Sequence, residues 1–447
     1  VTLDVDIRSL ERDARARRDD PALQLALARS LERLGRGREA LEAYIRAAAG
    51  SPADPDVERA LGAVEWWCGP RASAGGTRSV RVTPLVDAGA RVRWTRPVGA
   101  AGLGLAIDRA RVYARAVDRA GRARLVALAL HDGRVLWESD DDRVDENGAA
   151  PPLAVEGAVH DAVLVREATS VVLRVRSRDG ATGRTRWTLE QELASTQPGA
   201  GFDGALCTGS RIVLAVGPRG RLAFDPLVRV IDAATGTTVD GFAVRGLSDL
   251  AADATHLYIA AAFDRNDRRV EARRFADGSR AWAAVRGART HRVLAAADGT
   301  VVAALEDGLV FLDPSGMQRS RLNLRLSSEE ALVAISRVLV GAWSRREGVV
   351  ALDLGTGNRF WRDEPAARVL AGAEPVVYGL GADGGSIFAI DARSGERLFG
   401  VDLPEVRAVG GAGLAATGAW RLAVGPSRVV GLSKEGVAFV VGAADEA

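Results

Sequence analysis

The densest set of metal-type ligands in this sequence is the run Asp140, Asp141, Asp142, Asp145, Glu146 and Asn147. Carboxylate and amide oxygens at that density are what calcium takes. The run lacks the Asp-x-Asp-x-Asp-Gly order of a calcium loop, so it reads as a solvated acidic loop. The histidines, His131, His160, His256 and His291, are scattered; His160 has Asp161 beside it but no third ligand. Cys68 and Cys207 form no Cys-x-x-Cys pair, which argues against thiol redox chemistry, a cysteine zinc site and a disulfide framework. No Gly-x-Ser-x-Gly, P-loop or His-Glu-x-x-His motif occurs. Gly99, Gly102 and Gly104 make a glycine-rich stretch without the βαβ setting that phosphate binding needs, so it reads as a turn. No catalytic, cofactor-binding or metal-ligating set emerges from these residues, and no cofactor is expected.

One pattern repeats. VVALDLGTGNRFW at 349–361 has near-copies along the chain, such as LVALALHDGRVLW at 125–137 and IFAIDARSGERLF at 387–399. Its glycines are Gly133, Gly183, Gly236, Gly278, Gly316, Gly357 and Gly395, spaced 38–53 residues apart. Four residues after each stands Trp137, Trp187, Asp240, Trp282, Ser320, Trp361 or Phe399. Asp353 in this unit reads as a turn cap, because its carboxylate accepts local backbone N–H bonds while glycine supplies the positive φ. The aromatic residue reads as a wedge against the next unit. Two further alternating strands lie between copies, so each unit is a four-stranded sheet. A four-stranded unit of roughly 40 residues, repeated many times, predicts a β-propeller. Residues 90–98, with Trp94, read as an outer strand lacking its first three partners. Residues 420–442 supply three strands and no fourth, so the two ends are expected to share one blade, giving eight.

Before the repeats the pattern is helical. Leu23, Leu27, Leu31 and Leu34 mark one face, and Ala40, Leu41, Tyr44, Ala47 and Ala48 a second. Asp20-Pro21 is a helix start. Pro21 and Pro55 lie 34 residues apart, the tetratricopeptide period. Residues 1–69 are therefore read as a tetratricopeptide-like helical module, 70–89 as a linker and 90–447 as the propeller. Trp66 and Trp67 close the module, either docking it on the propeller domain or flanking a peptide-binding tip.

Composition bounds the function. Sixty basic residues against 58 acidic ones exclude the basic excess of a general nucleic-acid binder. No apolar run is long enough to insert in a membrane. The charged first residues lack a signal-peptide core, which favours the cytoplasm, or the periplasm if a leader has been removed. In propellers, loops between second and third strands share a face with the connections between blades. Four such loops here carry Arg119, Arg122, Arg219, Arg221, Arg265, Arg268, Arg269, Arg345 and Arg346. Gathered on one rim, they would form an electrostatic landing site for a partner protein with an acidic surface.

The Asp-x-x-Thr-Gly-x-x-x-Trp turns, as in DLGTGNRFW, resemble the PQQ-like propeller repeats over residues 90–447. That resemblance implies a mainly β, eight-bladed PQQ-like propeller. The family includes quinoprotein alcohol dehydrogenases and non-catalytic outer-membrane assembly propellers. The dehydrogenases carry an adjacent Cys-Cys pair, a stacking tryptophan and a Glu/Asn/Asp calcium site. Here no Cys-Cys occurs, and Trp94, Trp137, Trp187, Trp282 and Trp361 stand at the wedge position, with Trp343 and Trp420 read as core. The sequence is thus read as a non-catalytic protein-interaction scaffold, the alternative being an enzyme or ligand-binding protein that uses the central funnel.

Overall fold

The computed structural model describes residues 2–17, 20–33, 43, 47, 79–80, 85–86 and 89–443. Within the last stretch several loop positions fall outside the description, the longest runs being 141–147, 194–199, 219–226, 325–331, 343–347 and 404–420. The chain divides into two compact units, Val1–Trp66 and Trp67–Ala447.

In the first unit, helix α1 (Thr2–Ala16) packs against α2 (Pro21–Arg33). The Asp20 side chain caps α2 by accepting the Leu23 N–H at 3.1 Å, which meets one of the orphan donors of a helix start. Ile7, Ala14, Leu27, Ala28 and Leu31 are buried together with Ala43 and Ala47. Ala43 and Ala47 are one helical turn apart and both helical. Gln24 is fully buried, and its amide donates to the Ala14 carbonyl at 2.9 Å. Two short helices do not establish a tetratricopeptide repeat. Most of the second hairpin helix, the next repeat, and Trp66, Trp67 and Cys68 lie outside the described residues.

The second unit holds eight sheets, each with four propeller strands. The innermost strands are Ala101–Ile107, Leu153–Val155, Ala200–Thr208, Leu247–Ala252, Thr290–Ala295, Leu332–Ile335, Ala367–Ala373 and Arg421–Gly425. Each lies against the next, and the last lies against the first, so the ring closes with eight blades. The closing blade is composite: Arg91–Pro97 pairs antiparallel with Val437–Gly442, Trp94 opposite Val440. Inner and second strands such as Leu332–Ile335 and Val376–Gly381 are nearly continuous apolar runs because both faces of each sheet are covered by neighbouring blades, whereas outer strands such as Thr185–Leu193 alternate.

The repeated turn explains the stacking. All seven repeat glycines have positive φ, from 67° to 83°. Asp353 Oδ1 accepts the N–H groups of Gly355 and Thr356 and the Thr356 hydroxyl; Asp179, Asp232 and Asp391 repeat the arrangement. Each wedge indole lies on the turn of the following blade. A Cβ added to Gly183 would stand 2.7 Å from the Trp137 ring, and the same contact joins Gly133 with Trp94, Gly236 with Trp187, Gly316 with Trp282 and Gly395 with Trp361. The five indole N–H groups donate to carbonyls of those turns, those of Leu130, Gly180, Ala233, Pro314 and Ala392, at 2.8–3.1 Å. Glycine is therefore required twice, for backbone conformation and for room.

Three positions depart from this scheme. Asp240 stands over Gly278, and Leu322 over Gly357. Ser320 occupies the tryptophan register, paired with Phe311, but is too small to reach; Leu322, two residues on and on the same side of its strand, fills the space. Phe399 is buried and packs near Tyr378, ring centroids 6.3 Å apart. The blade that follows it has no hairpin between third and outer strands, because its outer strand comes from the other end of the propeller sequence.

Candidate functional site

Hydrogen bonds between connections sort the propeller into two faces. On one, the inner-to-second turn meets the repeat hairpin of the same blade: Leu130 N–H donates to Ala110, Gly180 to Gly157, Ala233 to Ser210, Phe275 to Thr255, Leu354 to Arg337 and Ala392 to Pro375. On the other, the second-to-third loop meets a blade-to-blade connection: Val98 N–H donates to Gly436, Ala262 to Gly246, Gly287 to Arg268 and Leu403 to Gly385. The first is a turn face, built from the repeat motif. The second is a loop face, where sequence varies from blade to blade.

The aspartates of the turn face are committed to their turns. The hydrogen bond from Arg186, with the Thr182 N–H and hydroxyl, holds Asp179 down at about 2. Burial tends to raise Asp353 and Asp391, but the backbone and hydroxyl donors of Thr356 and Ser394 outweigh it and hold both below the usual carboxylate range. These groups are turn caps rather than bases.

On the loop face, three of the nine arginines anticipated there are described: Arg122, Arg268 and Arg269. Arg119, Arg219, Arg221, Arg265, Arg345 and Arg346 lie outside the described residues. Arg122 is exposed and bonds Asp118 at 3.1 Å. Arg269 is half-buried; it pairs with Asp267 and, at 2.8 Å, with Glu271, and its guanidinium lies 4.1 Å over the Phe263 ring. Glu271 is fully buried and also takes Arg273 at 2.8 Å; Arg273 in turn stacks 4.3 Å from the Phe242 ring of the preceding blade. Arg269 therefore neutralises a buried carboxylate and is a structural residue. The charge at these described positions is mixed, since Asp118 and Asp267 accompany the arginines.

Arg268 is exposed, and its carbonyl holds the Gly287 N–H at 2.8 Å. That bond brings the connection between blades 4 and 5 beside it, and with it two exposed arginines, Arg286 and Arg289. Arg289 lies 3.6 Å from Glu306, which His291 also approaches at 3.6 Å. The same connection holds Val285 at φ 54°. A β-branched side chain there costs on the order of 1–2 kcal/mol, so the surrounding structure must impose it. The Gly287–Arg268 bond thus brings exposed Arg268, Arg286 and Arg289 to one corner of the loop face, with Glu306 beside Arg289. Sequence reading restricted to the second-to-third loops passes over Arg286 and Arg289. The signal was the segment VRGART, residues 285–290, whose blade-to-blade position puts it on the same face.

Elsewhere, buried charge ties blades together. Asp161 is fully buried in blade 2 and is reached by Arg176 at 3.1 Å, Arg178 at 3.2 Å and the fully buried Arg115 of blade 1 at 3.4 Å. Burial pushes Asp161 up, but the three guanidiniums outweigh it and hold it below the usual range. Asp249 and Arg292 link the inner strands of blades 4 and 5 at 3.7 Å, and Asp249 also accepts the Val293 N–H at 2.8 Å. The inner strands otherwise carry mostly Ala, Leu, Val and Gly. No group of three or more His, Cys, Asp or Glu suited to a metal occurs among the described residues.

The profile of one protein family, described as outer membrane protein assembly factor BamB, matches residues 69–284 and 268–408, well over half of the chain. The chain belongs to this BamB family. A search of curated protein sequences found no match. Among solved structures, BamB from Moraxella catarrhalis shares 17% identity at a TM-score of 0.50, covering 79% of this chain and 99% of that one. Quinohemoprotein alcohol dehydrogenase from Comamonas testosteroni shares 12% identity at a TM-score of 0.59, covering 92% of this chain and 85% of that one. At these identities both likenesses show the fold alone, an eight-bladed PQQ-like propeller. A cytoplasmic location gains no support, because the BamB family takes its description from outer membrane protein assembly. No helix among the described residues is long and apolar enough to cross a membrane.

Proposed function

We propose that this chain is a non-catalytic scaffold that binds another protein through its loop face. The observation that carries this reading is membership of the BamB family, whose namesake is an assembly factor for outer membrane proteins. The partner is then a component or client of such assembly, and the chain works on the periplasmic side of the cell envelope. The helical unit, read as a tetratricopeptide-like hairpin, adds a second interaction module.

Within the loop face, the corner of Arg268, Arg286 and Arg289 is the favoured contact, facing an acidic surface on the partner. Arginine suits the role because its planar fork meets carboxylates in pairs. The test is capture of envelope proteins by the tagged chain and by a triple variant, R268E/R286E/R289E. Arg269 is left intact, because reversing it would strand Glu271. Loss of a specific partner, with thermal stability unchanged, is the expected result. Undiminished capture would remove the corner from the interface.

A further inference from the structure

Among the described residues, seven of the eight sheets have four strands and the sheet of blade 7 has five. The extra strand is Ser79–Val80, from the segment that precedes the propeller's ring-closing strand. It pairs with the inner strand Ala367–Ala373, Ser79 opposite Gly372 and Val80 opposite Ala373. The pairing is parallel, whereas every other strand pair among the described residues is antiparallel. Its position follows from the topology. Ala367–Ala373 is the innermost strand of its blade and meets the inner strands of blades 6 and 8. The one edge left to it faces the axis of the ring. Ser79–Val80 lies on that edge and also against the inner strand of blade 6, Leu332–Ile335. The short strand therefore sits in the central channel.

A second contact holds the same segment. Leu85 is 2% exposed, and its carbonyl accepts the Tyr378 hydroxyl at 3.0 Å. Tyr378 is itself fully buried in the second strand of blade 7. Six residues beyond Leu85 the chain begins Arg91–Pro97, the outer strand that completes blade 8.

We infer that the axial edge of Ala367–Ala373 is a strand-accepting site, filled by the chain's own Ser79–Val80 and latched by Leu85 on Tyr378. An exposed inner edge presents backbone N–H and C=O groups that any extended segment can pair with. The occupant takes up the end of that edge, at Gly372 and Ala373. It also anchors the chain immediately before its ring-closing strand. A small molecule or a partner's extended peptide entering this part of the channel would have to displace it.

The experiment is hydrogen exchange by mass spectrometry on the full-length chain, comparing wild type with S79P/V80P. Proline removes the N–H groups of the inserted strand while keeping chain length. The inner strands Leu247–Ala252 and Thr290–Ala295, on other blades, serve as internal references. In the wild type, the amides of Ala367–Ala373 that point away from Val376–Gly381 are expected to exchange at least about tenfold more slowly than in the variant, with the references unchanged. A synthetic peptide of residues 77–86 is expected to bind the variant and restore protection, and not to bind the wild type. Equal exchange in the two proteins, or wild-type protection at 367–373 no greater than in the references, would overturn the inference. If the double variant unfolds, Y378F replaces it, because it removes the hydroxyl held by the Leu85 carbonyl: selective deprotection of 367–373 supports the latch, and unchanged protection overturns it.

Discussion

His160 offers a quantitative test of how tightly blades 2 and 3 are packed. It is 2% exposed in the second strand of blade 2, paired across the sheet with Leu153 and Ser177. Its ring stacks on Trp187, the wedge toward blade 3, at 5.6 Å between centroids. Neither ring nitrogen has a hydrogen-bond partner among the described residues. Burial pushes the imidazole down from 6.5 to about 4, with Arg186 acting in the same direction and Asp161 against it. Between those two values the unfolded chain binds a proton that the folded one refuses, so stability falls as pH drops through this window. The full linkage is about 3 kcal/mol, complete near pH 4. His160→Phe keeps the stack and removes both the titration and the unmet polar atoms. Urea unfolding of wild type and variant from pH 7.5 to 4 compares the two while other titrating groups cancel. The variant is expected to be at least as stable at pH 7.5, and its advantage should grow by about 3 kcal/mol by pH 4. A difference that stays constant with pH would mean that the imidazole is solvated or protonated in the fold, and the packing argument would fail.

Other contacts give further predictions. Asp161→Asn would leave Arg115, Arg176 and Arg178 gathered without their carboxylate, for a loss of about 3–5 kcal/mol in chemical denaturation at pH 7. Because Asp161 is held below the usual carboxylate range, the stability it contributes is present above the unfolded value near 4 and lost as pH falls below it. The gap between wild type and D161N should therefore close in acid. Gly183→Ala forces a left-handed alanine against the Trp137 ring and should cost about 2 kcal/mol or more, read as a lowered Tm; Gly287→Ala, which has positive φ but nothing within 4 Å of an added Cβ, should cost only the backbone part. Tyr378→Phe should cost about 1 kcal/mol, since it leaves the buried Leu85 carbonyl without its donor.

Much of the ring is written locally. An aspartate that caps, a glycine that turns left-handed and an indole four residues on are all encoded within one turn, so Asp353, Gly357 and Trp361 can be recognised without knowing what they touch. Repetition then does the rest, because a unit that cannot cover its own faces must stack on copies of itself. The weaker units show the limit of that reading. Counting from Gly316 leads to Ser320, whereas the side chain over Gly357 is Leu322, because filling a gap depends on volume and reach rather than on position in a motif. The candidate site was less legible for the same reason. Arg268 and Arg286 are 18 residues apart, and what brings them together is the backbone bond between Gly287 and Arg268. Arg269 looks like its neighbour in sequence, yet lies against buried Glu271 and has a structural task.

The sequence by itself determined the class of fold, the blade unit and the absence of recognisable catalytic motifs, since these rest on turn chemistry and periodicity over a few residues. Only the tertiary structure decided which charges meet across blades, as Arg115 does with Asp161, and that Ser79–Val80 enters the axis of the ring. Both depend on contacts between segments far apart in the chain, where the free energy lies in burial and pairing that no local pattern records.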